Sequence, residues 1–172
     1  MTEELIKFKR RKSRNTPGES HYLTFSTYHK KPYLRDERIC KLLANRINEA
    51  AIEHNFAVLA YVFMPDHVHI MLHPHDEIYE MSNILKAMKQ GPSKSAKKKK
   101  WTTTNLWESG GGYDSNINNS HARMLAISYI HMNPIRKEMV EYPQDFRWSS
   151  SKWYHTDECG DVNCHHIQEF WC

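Results

Sequence analysis

The sequence predicts an α+β domain of the split βαβ kind, with elements in the order β-α-β-β-α-β and one further helix after the last strand. Three observations carry that prediction. Runs rich in β-formers, bounded by turn residues, occur at 21–28, 56–63 and 67–72. Stretches with apolar residues at helical spacing separate the first run from the second and follow the third. Only Met64-Pro65-Asp66 lies near the junction of the second and third runs, a connection short enough for a hairpin. The chain has 172 residues, enough for one domain with a substantial core and hardly enough for two.

Taken in order, residues 1–20 are basic and then turn-forming through Asn15-Thr16-Pro17-Gly18, and read as an arm. Strand one, 21–28, alternates aromatic or apolar with small polar residues. Asp36 caps helix one, whose core face is Ile39, Leu42, Leu43, Ile47, Ala50 and Ala51, ending near His54. Strands two and three follow. Asp76-Glu77 opens helix two, with Ile78, Met81, Ile84, Leu85 and Met88 on one face and an end at Gln90-Gly91-Pro92. Residues 93–100 read as a mobile lysine-rich segment. Leu106-Trp107-Glu108 is assigned as strand four. Asn119 or Ser120 caps helix three, which carries Met124, Leu125, Ile127 and Ile130 and runs into Asn133-Pro134, where proline disfavours helical geometry in the residue before it. Pro143, a Trp148-Ser149-Ser150-Ser151 segment and an acidic tail complete the chain. In this ferredoxin-like order the first and third strands are central.

Charge is unevenly placed. The net value is +4, but residues 1–14 hold six Lys/Arg against Glu3 and Glu4, and residues 86–100 hold seven lysines and no acid. The last 36 residues reverse the sign, with seven acids against Lys137, Arg147 and Lys152. Two basic stretches on one small domain fit a polyanionic partner, or else two solvated lysine-rich segments. No window approaches the ~18 apolar residues of a membrane span, and no signal peptide is visible. Cys40 reads as core. Cys159, Cys164 and Cys172 lack paired C-x2-C spacing, so a partly ordered tail is preferred to a zinc site, and reduced cysteines fit a cytoplasmic protein.

The most informative stretch is Met64-Pro65-Asp66-His67-Val68-His69-Ile70-Met71-Leu72. On a strand, side chains two apart share a face, with Cα atoms about 6.5–7 Å apart. His67 and His69 therefore point one way and Val68 the other. One metal ion can bridge such a pair, although many His-x-His pairs are ordinary half-exposed histidines. The second stretch is Tyr129-Ile130-His131-Met132-Asn133-Pro134. Tyr129 and Asn133 are i and i+4 at a helix end and share a face, presenting a phenol and an amide together. A phenol with its ordinary pKa of ~10 is a poor nucleophile, yet it can attack phosphorus beside a cation. The other reading is a half-buried helix tyrosine and an asparagine that ends the helix.

His67-Val68-His69 resembles the HUH motif of the single-tyrosine transposases. Tyr129-Ile130-His131-Met132-Asn133-Pro134-Ile135-Arg136 resembles the Tyr-Ile-x-x-Asn-Pro-Val-Arg signature of one branch, the REP-associated tyrosine transposases. The opening His21-Tyr22-Leu23-Thr24-Phe25, Leu106-Trp107 and Arg147-Trp148-Ser149-Ser150 are similar to that branch as well. The resemblance spans about residues 20–154. It implies a bacterial endonuclease and transposase that cuts single-stranded DNA at imperfect hairpins, leaving a 5′-phosphotyrosine and a free 3′-OH. It implies His67 and His69 as ligands of Mg²⁺ or Mn²⁺, Asn133 as third ligand and Tyr129 as nucleophile. It also implies a cytoplasmic, nucleoid-associated enzyme serving palindromic repeats, working as a monomer or as a homodimer. The chain departs from the family in having Asn133 where glutamine is commoner, Asp66 where asparagine usually precedes the first histidine, and Gly110-Gly111-Gly112 in place of bulkier residues.

The organisation expected is thus a basic arm (1–20), one catalytic domain (21–154) and a Cys/His-bearing tail (155–172). Arg10, Arg11, Lys12 and Arg14 of the arm, with Lys86, Lys89, Lys97, Lys98, Lys99 and Lys100, are the expected phosphate contacts. Trp101 and Trp107 are candidates for stacking on bases, with Trp107 equally a core residue. The alternative function is a non-catalytic nucleic-acid hairpin-binding domain, which has no need of Tyr129, His67 and His69 together. A zinc hydrolase fits poorly, since no third ligand stands at H-E-x-x-H spacing.

Overall fold

The computed structural model describes residues 14–158 and 160–166; Arg10, Arg11, Lys12, Cys159 and Cys172 lie outside them. Strands β1 (Ser20–Ser26), β2 (Phe56–Met64), β3 (His67–Pro74) and β4 (Tyr113–Ile117) form one antiparallel sheet in the order β2-β3-β1-β4. The first and third strands are central, as the β-α-β-β-α-β order requires. Helices α1 (Glu37–Glu53) and α2 (Met81–Lys98) cover one face, and α3 (Ser120–Arg136) covers the other. A short α4 (Ser151–Thr156) follows.

Strand alternation divides the core into two layers. Leu23, Phe25, Val68, Ile70 and Leu72 pack against Ile39, Leu43 and Ile47 of α1 and Ile84, Leu85 and Met88 of α2. Tyr22, Met71, Val62 and Met64 face Ala126, Ile127 and Ile130 of α3. A bulge between Val58 and Ala60 shifts the register of β2. The shift changes which parity faces α3: Ala57 and Leu59 before it, Ala60, Val62 and Met64 after it. All nine residues of β2 are buried although it is an edge strand. Its outer edge is covered by Trp148–Ser150, through Phe63 N–H to Trp148 O and Ser150 N–H to Tyr61 O, and by the tail, where His165 N–H donates to Val58 O. An exposed edge is thereby closed to strand addition.

The caps follow the sequence. Asp36 accepts from Arg38 N–H at the start of α1, and Asn119 accepts from Ala122 N–H at the start of α3. Five expectations are corrected. Helix two begins at Met81, so Ile78 lies in the preceding connection and is 93% exposed. It does not stop at Gly91-Pro92 but runs to Lys98, with Pro92 and Ala96 buried, so most of the segment expected to be mobile is helix. Arg46 of α1 donates to the Ala87 carbonyl, supplying a polar partner in the turn that Pro92 disturbs.

The third correction concerns strand four. Leu106–Glu108 makes only an isolated bridge, Thr27 to Trp107, and the true fourth strand is the polar Tyr113–Ile117. Its Asp114, Ser115 and Asn116 carry no β-pattern, which an edge strand does not need. Finally, α3 continues through a buried Pro134 to Arg136. Asn133 Nδ2 donates back to Tyr129 O and Lys137 N–H to Asn133 O, so hydrogen bonds span the turn that proline weakens. Met124 and Leu125, expected on its core face, are 56% and 42% exposed, whereas Ile127 and Ile130 are buried.

Candidate active site

His67 and His69 stand on the central strand β3, on the α3 side of the sheet, opposite Ser26 and Thr24 of β1. Their Nε2 atoms are 3.1 Å apart. Each ring is gripped through its other nitrogen. His67 Nδ1 is 2.6 Å from Asp66 Oδ1. His69 Nδ1 is 2.6 Å from the Tyr22 hydroxyl and 2.8 Å from Thr24 Oγ1. The Asp66 carbonyl in turn accepts from Thr27 N–H and Oγ1, which fixes the turn into β3. With His67 Nδ1–H donating to the carboxylate, its Nε2 lone pair is aimed at His69.

Burial holds both imidazoles neutral. It pushes His69 down to about 3, with repulsion from His67 adding to it. His67 is also lowered, by burial first, against the opposing pull of Asp66. Burial raises the Tyr22 phenol well above its ordinary value, so it meets His69 as a hydroxyl. Two neutral imidazoles with their distal nitrogens converged are ligands rather than acids.

Tyr129, half-buried on α3, is the next group outward. Its ring centroid is 5.9 Å from that of His69 and 6.4 Å from that of Tyr22, edge to face in both cases. Among the described residues no hydrogen bond engages its hydroxyl. Asn133, one turn on, is buried, and its Nδ2 is committed to the Tyr129 carbonyl, which leaves the amide oxygen as its available donor atom. The helix is fastened behind these residues: His131 Nε2 is 2.8 Å from Ser150 Oγ, itself bonded to the backbone of Tyr61 on β2.

Three cations near this site were given no role from the sequence, although Arg136 ends the quoted signature. The Arg136 guanidinium lies over the Tyr129 ring, 4.5 Å from its centroid. Lys30 and Lys137 act on His67 by their charge. Arg136 closes the Tyr-Ile-x-x-Asn-Pro stretch two turns beyond Tyr129, so helical spacing was the signal for it. Lys30 carries no such signal, since it reaches the site only through the fold.

The expected phosphate contacts are placed elsewhere. Lys86, Lys89 and Lys97, with Lys94, line a groove of about 780 Å³ between α2 and residues 104–111, on the opposite side of the sheet from the histidines. Leu85, Leu106 and Trp107 contribute its apolar lining, and among the described residues no acid lines it. Lys89 is partly spent there, donating to the carbonyls of Glu108 and Gly110. Lys98 and Lys100 do not line the groove, and Lys99 sits 4.8 Å from the Trp101 ring centroid, with Arg38 at 4.6 Å. Trp107 is core, its Nε1–H donating to Lys89 O. Arg14 runs beside β4, where its backbone is held by the Asn116 amide.

The paired histidines thus stand on the central strand of the sheet, with the tyrosine helix across the same face. The model of the family described as "Transposase IS200 like" matches residues 19–133, and the chain belongs to that family. Among solved structures, a REP-associated tyrosine transposase bound to a REP hairpin matches with a TM-score of 0.72 and 16% identity, over 91% of this chain and 92% of that one. A Deinococcus radiodurans R1 chain provisionally described as a transposase matches with a TM-score of 0.48 and 21% identity, over 70% and 95%. No curated protein matches the sequence. Among the described residues no helix is long and apolar enough to cross a membrane.

Proposed function

We propose that the chain is a metal-dependent endonuclease and transposase of single-stranded DNA, cutting and rejoining at hairpins of palindromic repeats through a 5′-phosphotyrosine on Tyr129. The observation that carries this reading is the convergence of three groups in one chain: His67 Nε2 and His69 Nε2 3.1 Å apart, with the Tyr129 ring against His69. A hairpin-binding module has no use for that arrangement.

The donor set fits a divalent cation. His67 and His69 would hold the ion through their Nε2 atoms, which converge to 3.1 Å on one face of β3. Among the described residues no group of three or more His, Cys, Asp and Glu side chains is set to hold a metal. The Asn133 amide oxygen, one turn beyond Tyr129, would serve as a further ligand beside water and phosphate oxygens, a hard-donor balance that favours Mg²⁺ or Mn²⁺ over zinc. Such an ion, when bound, withdraws charge from the phosphoryl oxygens and from the leaving oxygen. Asp66, Tyr22 and Thr24 keep the two rings turned with Nε2 outward. Tyr129 supplies the nucleophile. Its Oη–P bond forms as the P–O3′ bond breaks, the phenol proton passes to solvent, and the departing 3′-oxygen takes a proton from solvent to become the free 3′-OH. Reversal with another 3′-OH rejoins a strand without an added energy source.

The groove lined by Lys86, Lys94 and Lys97 offers the DNA backbone a second track, with Lys98, Lys99 and Lys100 beyond it and Arg14 beside β4. The edge-to-face contact of Tyr129 with His69 within one chain supports a monomer as the working form, with a homodimer as the other form.

The test is a denaturing gel with labelled single-stranded hairpins from the host's repeats, run with Mn²⁺, with EDTA and with Tyr129→Phe. A protease-sensitive DNA adduct that needs both metal and Tyr129 is the expected result. Tight metal-independent binding with no adduct from any repeat overturns the enzyme reading in favour of a binding domain.

A further inference from the structure

We propose that Arg136 is a further catalytic residue, whose guanidinium takes a non-bridging oxygen of the phosphate that Tyr129 attacks. The inference rests on the reading of the Tyr129 site as one of phosphoryl transfer and adds to it a residue with no role so far.

The geometry comes first. Arg136 is seven residues beyond Tyr129 on α3, hence on the same face. Its guanidinium covers the tyrosine ring at 4.5 Å from the centroid. It is exposed, and among the described residues no carboxylate pairs with it. By contrast Arg38, Arg46 and Arg147 are each paired with an acid. An arginine retains five N–H donors when it is stacked, because stacking uses the face of its plane and leaves the edge free. The edge of Arg136 is therefore available to an oxyanion beside the phenol.

The chemistry needs such a group. Attack by a phenol on a phosphodiester brings an electron-rich nucleophile to an anion, and a fixed cation beside both lowers that repulsion. Lys30 stands on the His67 side, its Nζ donating to Ser26 Oγ opposite His67, and Arg136 on the Tyr129 side. The bland alternative is a cation–π contact that only covers the ring.

Two readouts separate these. The first is binding in EDTA, without chemistry, of hairpins with 5′ overhangs of graded length, each made with a 5′-phosphate and with a 5′-hydroxyl. The terminal phosphate stands in for the group that joins Tyr129. The full-length protein is expected to prefer the phosphate about tenfold at one overhang length, Arg136→Ala and Arg136→Gln to lose the preference, and Arg136→Lys to keep part of it. No preference at any length, or a preference that survives Arg136→Ala, overturns the proposal. The second readout is the single-turnover rate of adduct formation with Mn²⁺ at saturating hairpin. Arg136→Ala is expected to lower it about 100-fold, with hairpin Kd within about threefold and Tm nearly unchanged. An equal loss in affinity and none in saturated rate makes Arg136 an ordinary backbone contact and overturns its catalytic role. Failure of the underlying reading looks different: wild-type protein then gives no adduct at all, while the phosphate preference is still read by binding.

Discussion

Gly112 is where the structure makes its sharpest demand on a single residue. It has φ +78°, and a Cβ there would stand 2.2 Å from the Thr24 carbonyl oxygen and 3.2 Å from Phe25 Cα. A carbon–oxygen contact settles near about 3.3 Å, so β4 must retreat from β1 by roughly 1 Å. Both clashing atoms are backbone, and no rotamer change relieves them. The left-handed conformation costs an alanine about 1–2 kcal/mol, and the overlap about 2 kcal/mol more. Gly112→Ala should therefore destabilise by about 3–4 kcal/mol, a fall in Tm of roughly 6–16 °C for a chain of this length. Gly110 is the internal control: its φ is +88°, but nothing lies within 4 Å of its added Cβ. Gly110→Ala should cost only the conformational part, about 1–2 kcal/mol. Denaturant unfolding of the two variants beside wild type reads the difference directly. Equal losses at the two positions would refute the close approach of residue 112 to β1. The consequence reaches the site, because Thr24, whose carbonyl is displaced, also supplies the hydroxyl at His69 Nδ1.

Tyr22→Phe and Thr24→Val should each weaken Mn²⁺ binding only slightly, since either hydroxyl satisfies His69 Nδ1, whereas the double variant should weaken it about 10–100-fold by calorimetry; a double variant no worse than the singles would show that the pair does not orient the ring. Burial lowers His131 to about 4, so the unfolded chain, with its ordinary histidine pKa of ~6.5, binds the extra proton first as pH falls. Stability from this group is full above pH ~7.5 and drains as pH drops through about 6.5 towards 4, by about 2–3 kcal/mol. His131→Gln, which keeps a donor for Ser150 but cannot charge, should show a correspondingly shallower acid loss, and an unchanged pH profile would remove His131 as its source. Replacing Lys86, Lys94 and Lys97 with glutamine should weaken hairpin binding and reduce the slope of log K against log salt by about 0.7–0.9 for each phosphate no longer neutralised; an unaltered slope would mean that the groove is not a DNA track.

The sheet, its central strands and the shared face of the two histidines are legible in the sequence. Those features rest on local rules: period-two patterning, a Pro-Asp turn and side-chain alternation act over a few residues and can be read one window at a time. Asp36 and Asn119 are legible as caps for the same reason. Tyr129 and Asn133 are paired by helical spacing, but their meeting with His69 needs α3 to cross the sheet. Whatever depends on distant partners was settled by the fold. Proline ended neither α2 nor α3, because packing of Pro92 and Pro134 and side-chain donors to nearby carbonyls outweighed a propensity that acts within one turn. The fourth strand was missed because a polar edge strand is specified by its neighbour, here through Gly112 closing onto Thr24, rather than by its own pattern. The grip of Tyr22 and Thr24 on His69 links residues 45 and more apart in the chain. Lys30 and Lys137 bear on His67 from two different elements, a convergence made by folding alone, because charge acts through space and sequence spacing records only distance along the chain.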